Sequence, residues 1–277
     1  MIDLHSHTLP GLCDGSQSLE TSLEMARMAV ADGITHLACT PHIYPGNYNN
    51  SRDTIEPALA ELQQELDSRD IALKLLIGAD THLVPEVMRG LKSGAIPTLN
   101  DSRYFLLEPS HHVPVVNFLD HIENYLNAGY VPLITHPERL HWVNDHYDEF
   151  IQAAKMGAWI QITAGAITGR FGKKAQASAE QFLTDGFVHV IASDAHGTAR
   201  RPPILSEGVQ AAIELLGDEQ EVLRMVQERP QAVVDNLPPE QVVPVSGVVI
   251  KAGSTKKHQK NSKQKPEKKG WLARLLS

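Results

Sequence analysis

The chain has 277 residues, 42% of them hydrophobic and 21% charged, which suits one large globular α/β domain. No run of about 18 apolar residues occurs, so no helical membrane span is expected, and the opening residues lack the basic and apolar regions of a secretory signal. The net charge of −8 hides a split: residues 250–277 carry nine Lys or Arg and one acid, leaving 16 basic and 32 acidic side chains in a body too acidic for a nucleic-acid surface. Cys13 and Cys39 make no disulfide framework, and a reducing cytoplasm is the expected setting.

Ile2 to His7 reads as a short strand. Alternate side chains share a face, so His5 and His7 stand together with Ser6 opposite. Two imidazoles so placed can grip one metal ion. Asp14 follows in a Gly-rich loop from which its carboxylate can swing back. Leu19 to Asp32 has helical spacing, with Ser18 as N-cap and Gly33 as stop. Ile34 to Thr40 is a strand running into Pro41-His42. Arg52 to Asp70 is a helix, and Leu73 to Ile77 a strand before Gly78-Ala79-Asp80. Tyr104 to Leu107 is a strand ending in Glu108, and Val115 to Asn127 a helix. Val131 to Thr135 is a strand before His136-Pro137-Glu138-Arg139. Tyr147 to Met156 is a helix, Trp159 to Ile162 a strand, and Gly172 to Thr184 a helix. Val188 to Ala192 is the seventh strand, before Ser193-Asp194-Ala195-His196. Helical stretches follow at 204–216, 219–227 and 230–237. Residues 1–237 therefore read as one domain. Residues 238–277 read as a disordered basic tail closing on a short amphipathic segment, Trp271-Leu272-Ala273-Arg274-Leu275-Leu276.

Strands alternating with helices imply a parallel sheet. His5, His7, Asp14, His42, Asp80, Glu108, His136, Asp194 and His196 follow six of the seven strands. A barrel gathers such residues at the C-terminal ends of its strands, whereas an open sheet would concentrate them at one switch point. No Gly-rich dinucleotide fingerprint follows the first strand. Taken singly, Asp80 also reads as a helix cap, Glu108 as a surface acid and Asp194 as a turn residue, and His82 competes with Asp80. Together the nine form a ligand set. Mixed imidazole and carboxylate donors suit Mn, Fe or Zn, and nine donors imply more than one ion.

His5-Ser6-His7, the Asp14-Gly15 loop, Thr40-Pro41-His42, Thr135-His136-Pro137-Glu138-Arg139 and Ser193-Asp194-Ala195-His196 resemble the motifs of the PHP (polymerase and histidinol phosphatase) superfamily. Within it, the set is most similar to the bacterial capsule-type tyrosine-protein phosphatases, over about residues 1–235. The resemblance implies a distorted (β/α)7 barrel with two to three divalent metal ions, manganese first and iron or zinc as alternatives. It assigns His5, His7 and Asp194 to the first ion, with Asp80 bridging to the second. Glu108 and His136 complete the second, and Asp14, His42 and His196 hold the third. One departure stands out: the capsule enzymes carry Glu where this chain has Asp80, one methylene shorter. The implied substrate is a phosphotyrosyl protein, a tyrosine kinase of capsular or exopolysaccharide biosynthesis. A small phosphate ester such as histidinol phosphate is the alternative.

Arg139 and Arg201 are the expected cations for the phosphoryl group, with Arg200 an adjacent alternative to Arg201. A cysteine-dependent phosphatase needs Arg six residues after its Cys, but Leu19 and Pro45 stand at that spacing, and no Gly-x-Ser-x-Gly is present. The loop Ile43–Tyr48 offers Tyr44 for stacking on a phosphotyrosine ring. The tail's charges, each worth about 1 kcal/mol near an anionic leaflet, would draw a cytoplasmic enzyme to the membrane through residues 251–277. The resemblance leaves room for an oligomer, and no sequence stripe decides it.

Overall fold

A computed structural model describes residues 1–248. The nine strands are β1 (Ile2–Ser6), β2 (His36–Cys39), β3 (His42–Ile43), β4 (Lys74–Ile77), β5 (Asp80–His82), β6 (Tyr104–Glu108), β7 (Val131–Thr135), β8 (Trp159–Thr163) and β9 (Val190–Ala192). All seven expected strand positions are present, and the second and third are each followed, after a break, by a short strand that was not expected, β3 and β5. Pro41 has no N–H for a ladder, which helps end β2 before β3 begins. Gly78, between β4 and β5, lies so close to the other break that a Cβ there would stand 2.9 Å from the Thr40 methyl.

All the ladders are parallel. One sheet runs β1-β2-β4 and the other β3-β5-β6-β7-β8-β9. The chain crosses between sheets at the two breaks, so the strands circulate in sequence order. β1 meets the end of β9 through an isolated bridge, Ser6 to Ala195. There the His7 N–H donates to Ala195 O at 2.8 Å and the Asp194 N–H to His5 O at 2.9 Å. The ring is joined at this seam by backbone bonds at the site end rather than by a full ladder.

The helices are α1 (Leu19–Ala31), α2 (Arg52–Asp67), α3 (Val87–Ser93), α4 (Phe118–Asn127), α5 (Tyr147–Met156), α6 (Ala164–Ile167), α7 (Lys173–Thr184), α8 (Ser206–Leu216), α9 (Glu219–Val226) and α10 (Glu228–Val234). Helices α3 and α6 were not expected; at 7 and 4 residues they are too short to display a helical period. None of the described helices is long and apolar enough to cross a membrane.

Period-2 alternation divides the core into two clusters. Leu4, Ala38, Leu76, Leu106, Leu133 and Val190 form a cluster on one face of the strands. Leu37, Leu75, Leu107, Ile134, Ile160 and Ile191 face the other way and pack against helical residues such as Ala26, Leu62 and Phe182. Past Leu237 the described chain still lies on the body: Val245 is buried, Arg229 Nε donates to Val243 O, and the Gly247 N–H donates to Gly186 O. The basic segment 251–277 lies outside the described residues.

Candidate metal centre

The first cluster continues in phase into the site. Ala38 and Thr40 lead to His42, Leu76 and Gly78 to Asp80, Leu106 to Glu108, and Val190 and Ala192 to Asp194. β1 arrives differently. Its register slips between Asp3 and Ser6, and His5 follows Leu4 toward the same interior. A strand irregularity of this kind re-aims a side chain.

All nine expected residues converge. His5 Nε2 lies 3.2 Å from His7 Nε2, 3.2 Å from Asp194 Oδ1 and 3.5 Å from Asp80 Oδ2. His7 Nε2 is 3.3 Å from the same Asp194 oxygen. Asp80, one methylene short, is fully buried and still central: its Oδ2 is 3.2 Å from His42 Nδ1. Glu108 Oε2 is 3.3 Å from His42 Nδ1, and its Oε1 is 3.8 Å from His136 Nε2. Asp14 Oδ1 lies 3.5 Å from His42 Nε2 and 3.4 Å from His196 Nε2. The Asp14 loop reaches the site because Gly15 sits on His7, where a Cβ would overlap the His7 carbonyl at 2.0 Å. A cavity of about 210 Å³ opens above, lined by Asp14, Glu108, His136 and Asp194 among others.

The electrostatics suit cations. Among the described residues, no well-formed hydrogen bond reaches either oxygen of Asp80 or Oδ1 of Asp194, all of them buried. Buried carboxylates in that state are costly unless a positive charge stands beside them. Burial opposes charge on His5, yet Asp194 and Asp80 pull its imidazole up to about 9. His42 is likewise desolvated and still raised to about 12 by Asp80 and Glu108. Protons on these two rings answer the same demand that divalent ions would. Burial holds His7 and His136 well below the usual imidazole range, in the neutral form that a ligand requires. The donor set therefore fits Mn, Fe or Zn.

Asp194 anchors both expected arginines: Arg139 Nη1 and Arg201 Nη2 donate to its Oδ2. Although burial opposes ionisation, His5, Arg201 and Arg139 hold its carboxyl well below the usual range. Arg201 lines the cavity, while Arg200 is exposed. The Phe171 ring lies 4.4 Å from Arg139 Cζ and 5.7 Å from Arg201 Cζ, a shared platform that the sequence did not announce. Tyr44 does not line this cavity; it stacks on His82 at 3.9 Å, and Tyr48 stacks on His42 at 5.4 Å. His82 reaches the fringe, with Nδ1 3.5 Å from Glu108 Oε2.

Three polar partners were also missed. Gln161 Oε1 is 2.9 Å from His5 Nδ1, which fixes that ring with Nε2 toward the cup. A polar residue inside the apolar run Trp159–Ile162 was the available signal. Cys13 Sγ is 3.2 Å from His7 Nδ1. His111, three residues past Glu108, joins the cavity wall. Cys39 is a buried strand residue.

Fold and site define an α/β domain of two parallel sheets whose strand ends gather a cup of donors that could hold metal ions. The chain belongs to the CpsB/CapC family of capsular polysaccharide synthesis, whose model matches residues 1–235. It is 36% identical over 203 residues to the tyrosine-protein phosphatase YwqE of Bacillus subtilis, covering 73% of this chain and 79% of that protein. The putative tyrosine-protein phosphatase CapC of Staphylococcus aureus is 30% identical over 209 residues, or 75% of this chain and 81% of that one. Among solved structures, one from a study of YwqE and Streptococcus pneumoniae CpsB, metal-dependent tyrosine phosphatases, has a TM-score of 0.81 and 31% identity. It covers 85% of this chain and 95% of that one.

Proposed function

We propose that this protein is a metal-dependent protein tyrosine phosphatase acting on a tyrosine kinase of capsular or exopolysaccharide biosynthesis. The observation that carries the reading is the convergence of nine imidazole and carboxylate side chains on one mouth, with buried carboxylate oxygens that no well-formed hydrogen bond reaches among the described residues. His5, His7 and Asp194 would hold one ion, Asp80 would link it to a second held by Glu108 and His136, and Asp14, His42 and His196 would hold a third. Manganese is the first candidate. Divalent ions held by these residues would supply Lewis acidity toward water and phosphoryl oxygens.

The side chains supply the rest. A guanidinium has five N–H donors, so Arg139 and Arg201 keep donors for equatorial phosphoryl oxygens while paired to Asp194. Arg201 Nε is buried and has no partner among the described residues. Phe171 holds both cations over the cavity. Burial keeps His7 and His136 neutral, the form in which an imidazole can ligate a cation. Phenol leaves readily, so no dedicated acid is required. Gln161 positions His5, and Gln161→Leu should weaken metal binding about 10–100-fold. Competition with a chromophoric chelator measures this, and equal affinity in both proteins would remove the role.

The deciding experiment supplies Mn, Fe or Zn in turn and compares a phosphotyrosyl peptide with a phosphoseryl peptide and histidinol phosphate. His5→Ala/His7→Ala serves as the blank. Preference for the phosphotyrosyl peptide, lost in the blank, supports the reading; preference for a small ester keeps the centre and replaces the substrate. The basic segment 251–277 would bring the enzyme to anionic membrane at the cytoplasmic face, and its oligomeric state is open to sedimentation. Full-length protein should sediment with anionic vesicles, and protein ending at Val248 should not. Equal sedimentation would dispose of the tail's role.

A further inference from the structure

Glu108 stands between two cups. Its Oε2 faces His42 and His82. Its Oε1 turns the other way, 3.3 Å from His111 Nε2 and 3.8 Å from His136 Nε2. The ligand atoms of Glu108, His111 and His136 all lie within 4.8 Å of one another. Donors about 2.1 Å from one ion stand about 3–4 Å apart, so small side-chain movements close this group on a cation.

We propose that His111 is a tenth ligand of the centre, completing with Glu108 Oε1 and His136 Nε2 a cup at the mouth for one divalent ion. The proposal rests on the metal-dependent reading above, which leaves that ion one carboxylate and one imidazole of its own beside the shared Asp80. Three observations carry it. The loop is pinned on both sides of the ring: Trp142 Nε1 donates to Ser110 O at 2.8 Å and the His141 N–H to His111 O at 3.0 Å. The His111 and His136 rings lie across the cup from one another, tilted by 39°, with centroids 5.1 Å apart. The His111 side chain is 28% exposed, so the cup keeps a way in from solvent. The adjacent His112 does none of this; its Nδ1 meets His141 Nδ1 at 3.2 Å on the exposed rim.

The test titrates metal-stripped full-length protein with Mn²⁺, reading free ion by its paramagnetic resonance signal. Wild type, His111→Ala, His111→Gln and His112→Ala are compared. Removal of a ligand should weaken one class of Mn²⁺ site about tenfold or more. Hydrolysis of p-nitrophenyl phosphate by His111→Ala should fall at limiting Mn²⁺ and recover at high Mn²⁺. His112→Ala should track wild type. If His111→Ala does not fold, His111→Gln carries the test, since Gln keeps the size and polarity but not the imidazole. Identical isotherms for wild type and the His111 variants would overturn the proposal. So would a loss of hydrolysis that no Mn²⁺ concentration restores, which marks a substrate contact. Failure of wild type itself to take up Mn²⁺ would instead sink the underlying reading.

Discussion

Asp194→Asn should lower kcat/KM on a phosphotyrosyl peptide about a thousandfold or more, the equivalent of several kcal/mol of lost Lewis-acid stabilisation. No other residue in the cup meets so many partners. Its Oδ1 faces His5, His7 and His196, and its Oδ2 receives Arg139 and Arg201. The same change should destabilise metal-free protein by about 3 kcal/mol, because two mostly buried guanidiniums lose their anion. The pH dependence has a definite sign. The folded carboxyl titrates well below its usual value, so this contribution is complete above the unfolded pKa of about 3.9 and is lost as pH falls through the folded value. Urea melts of both proteins at neutral pH and at pH values below about 3.9, read beside initial rates at neutral pH, measure both effects. Activity within tenfold of wild type would remove Asp194 from the centre.

The second large effect is expected at the arginines. Arg139→Ala and Arg201→Ala should each cost about 10²–10³-fold in kcat/KM, the scale for removing one preorganised donor to a charged transition state. Lysine should recover only part of this, since an ammonium cannot present two parallel N–H groups to phosphoryl oxygens. Arg200→Ala is the control, exposed beside Arg201, and should stay within about twofold, as exposed charges away from chemistry do. Full recovery by lysine at both positions would show that charge alone is used. The Phe171 platform adds a finer expectation: Phe171→Leu should raise KM more than it lowers kcat, by loosening two cations that share one ring.

Most of the candidate centre was legible because its residues obey one simple rule. Strands of a parallel barrel end at the same mouth, so a His or carboxylate just past each apolar run arrives there whatever the connecting helices do. Asp80 was the hard case by chain length, yet the Gly78 break carries its short side chain into the middle of the cup. The strand ends before Pro41 and Gly78 were legible, but the short strands β3 and β5 beyond them were not, because two and three residues are too few to display a period. His111 and Phe171 were illegible for another reason. Their loops have no period, and Trp142 and His141, thirty residues downstream, fix where His111 points. Tyr44 shows the converse, a residue singled out in the sequence that lies off the cavity with its ring stacked on His82.

His136 is held at φ 35° and ψ 51°, a left-handed backbone that non-glycine residues enter at about 1–2 kcal/mol. Its Nδ1 is also buried without a partner. Asp194 shares the conformation at φ 49°, but Asp tolerates it better and the arginines repay it. At position 136, then, heredity and heat pull in opposite directions. A population selected only for thermal survival in chelator should drift there toward asparagine or glycine, while one selected for turnover should keep histidine. Sequencing both after the same number of rounds would read the conflict between folding and catalysis directly from the chain.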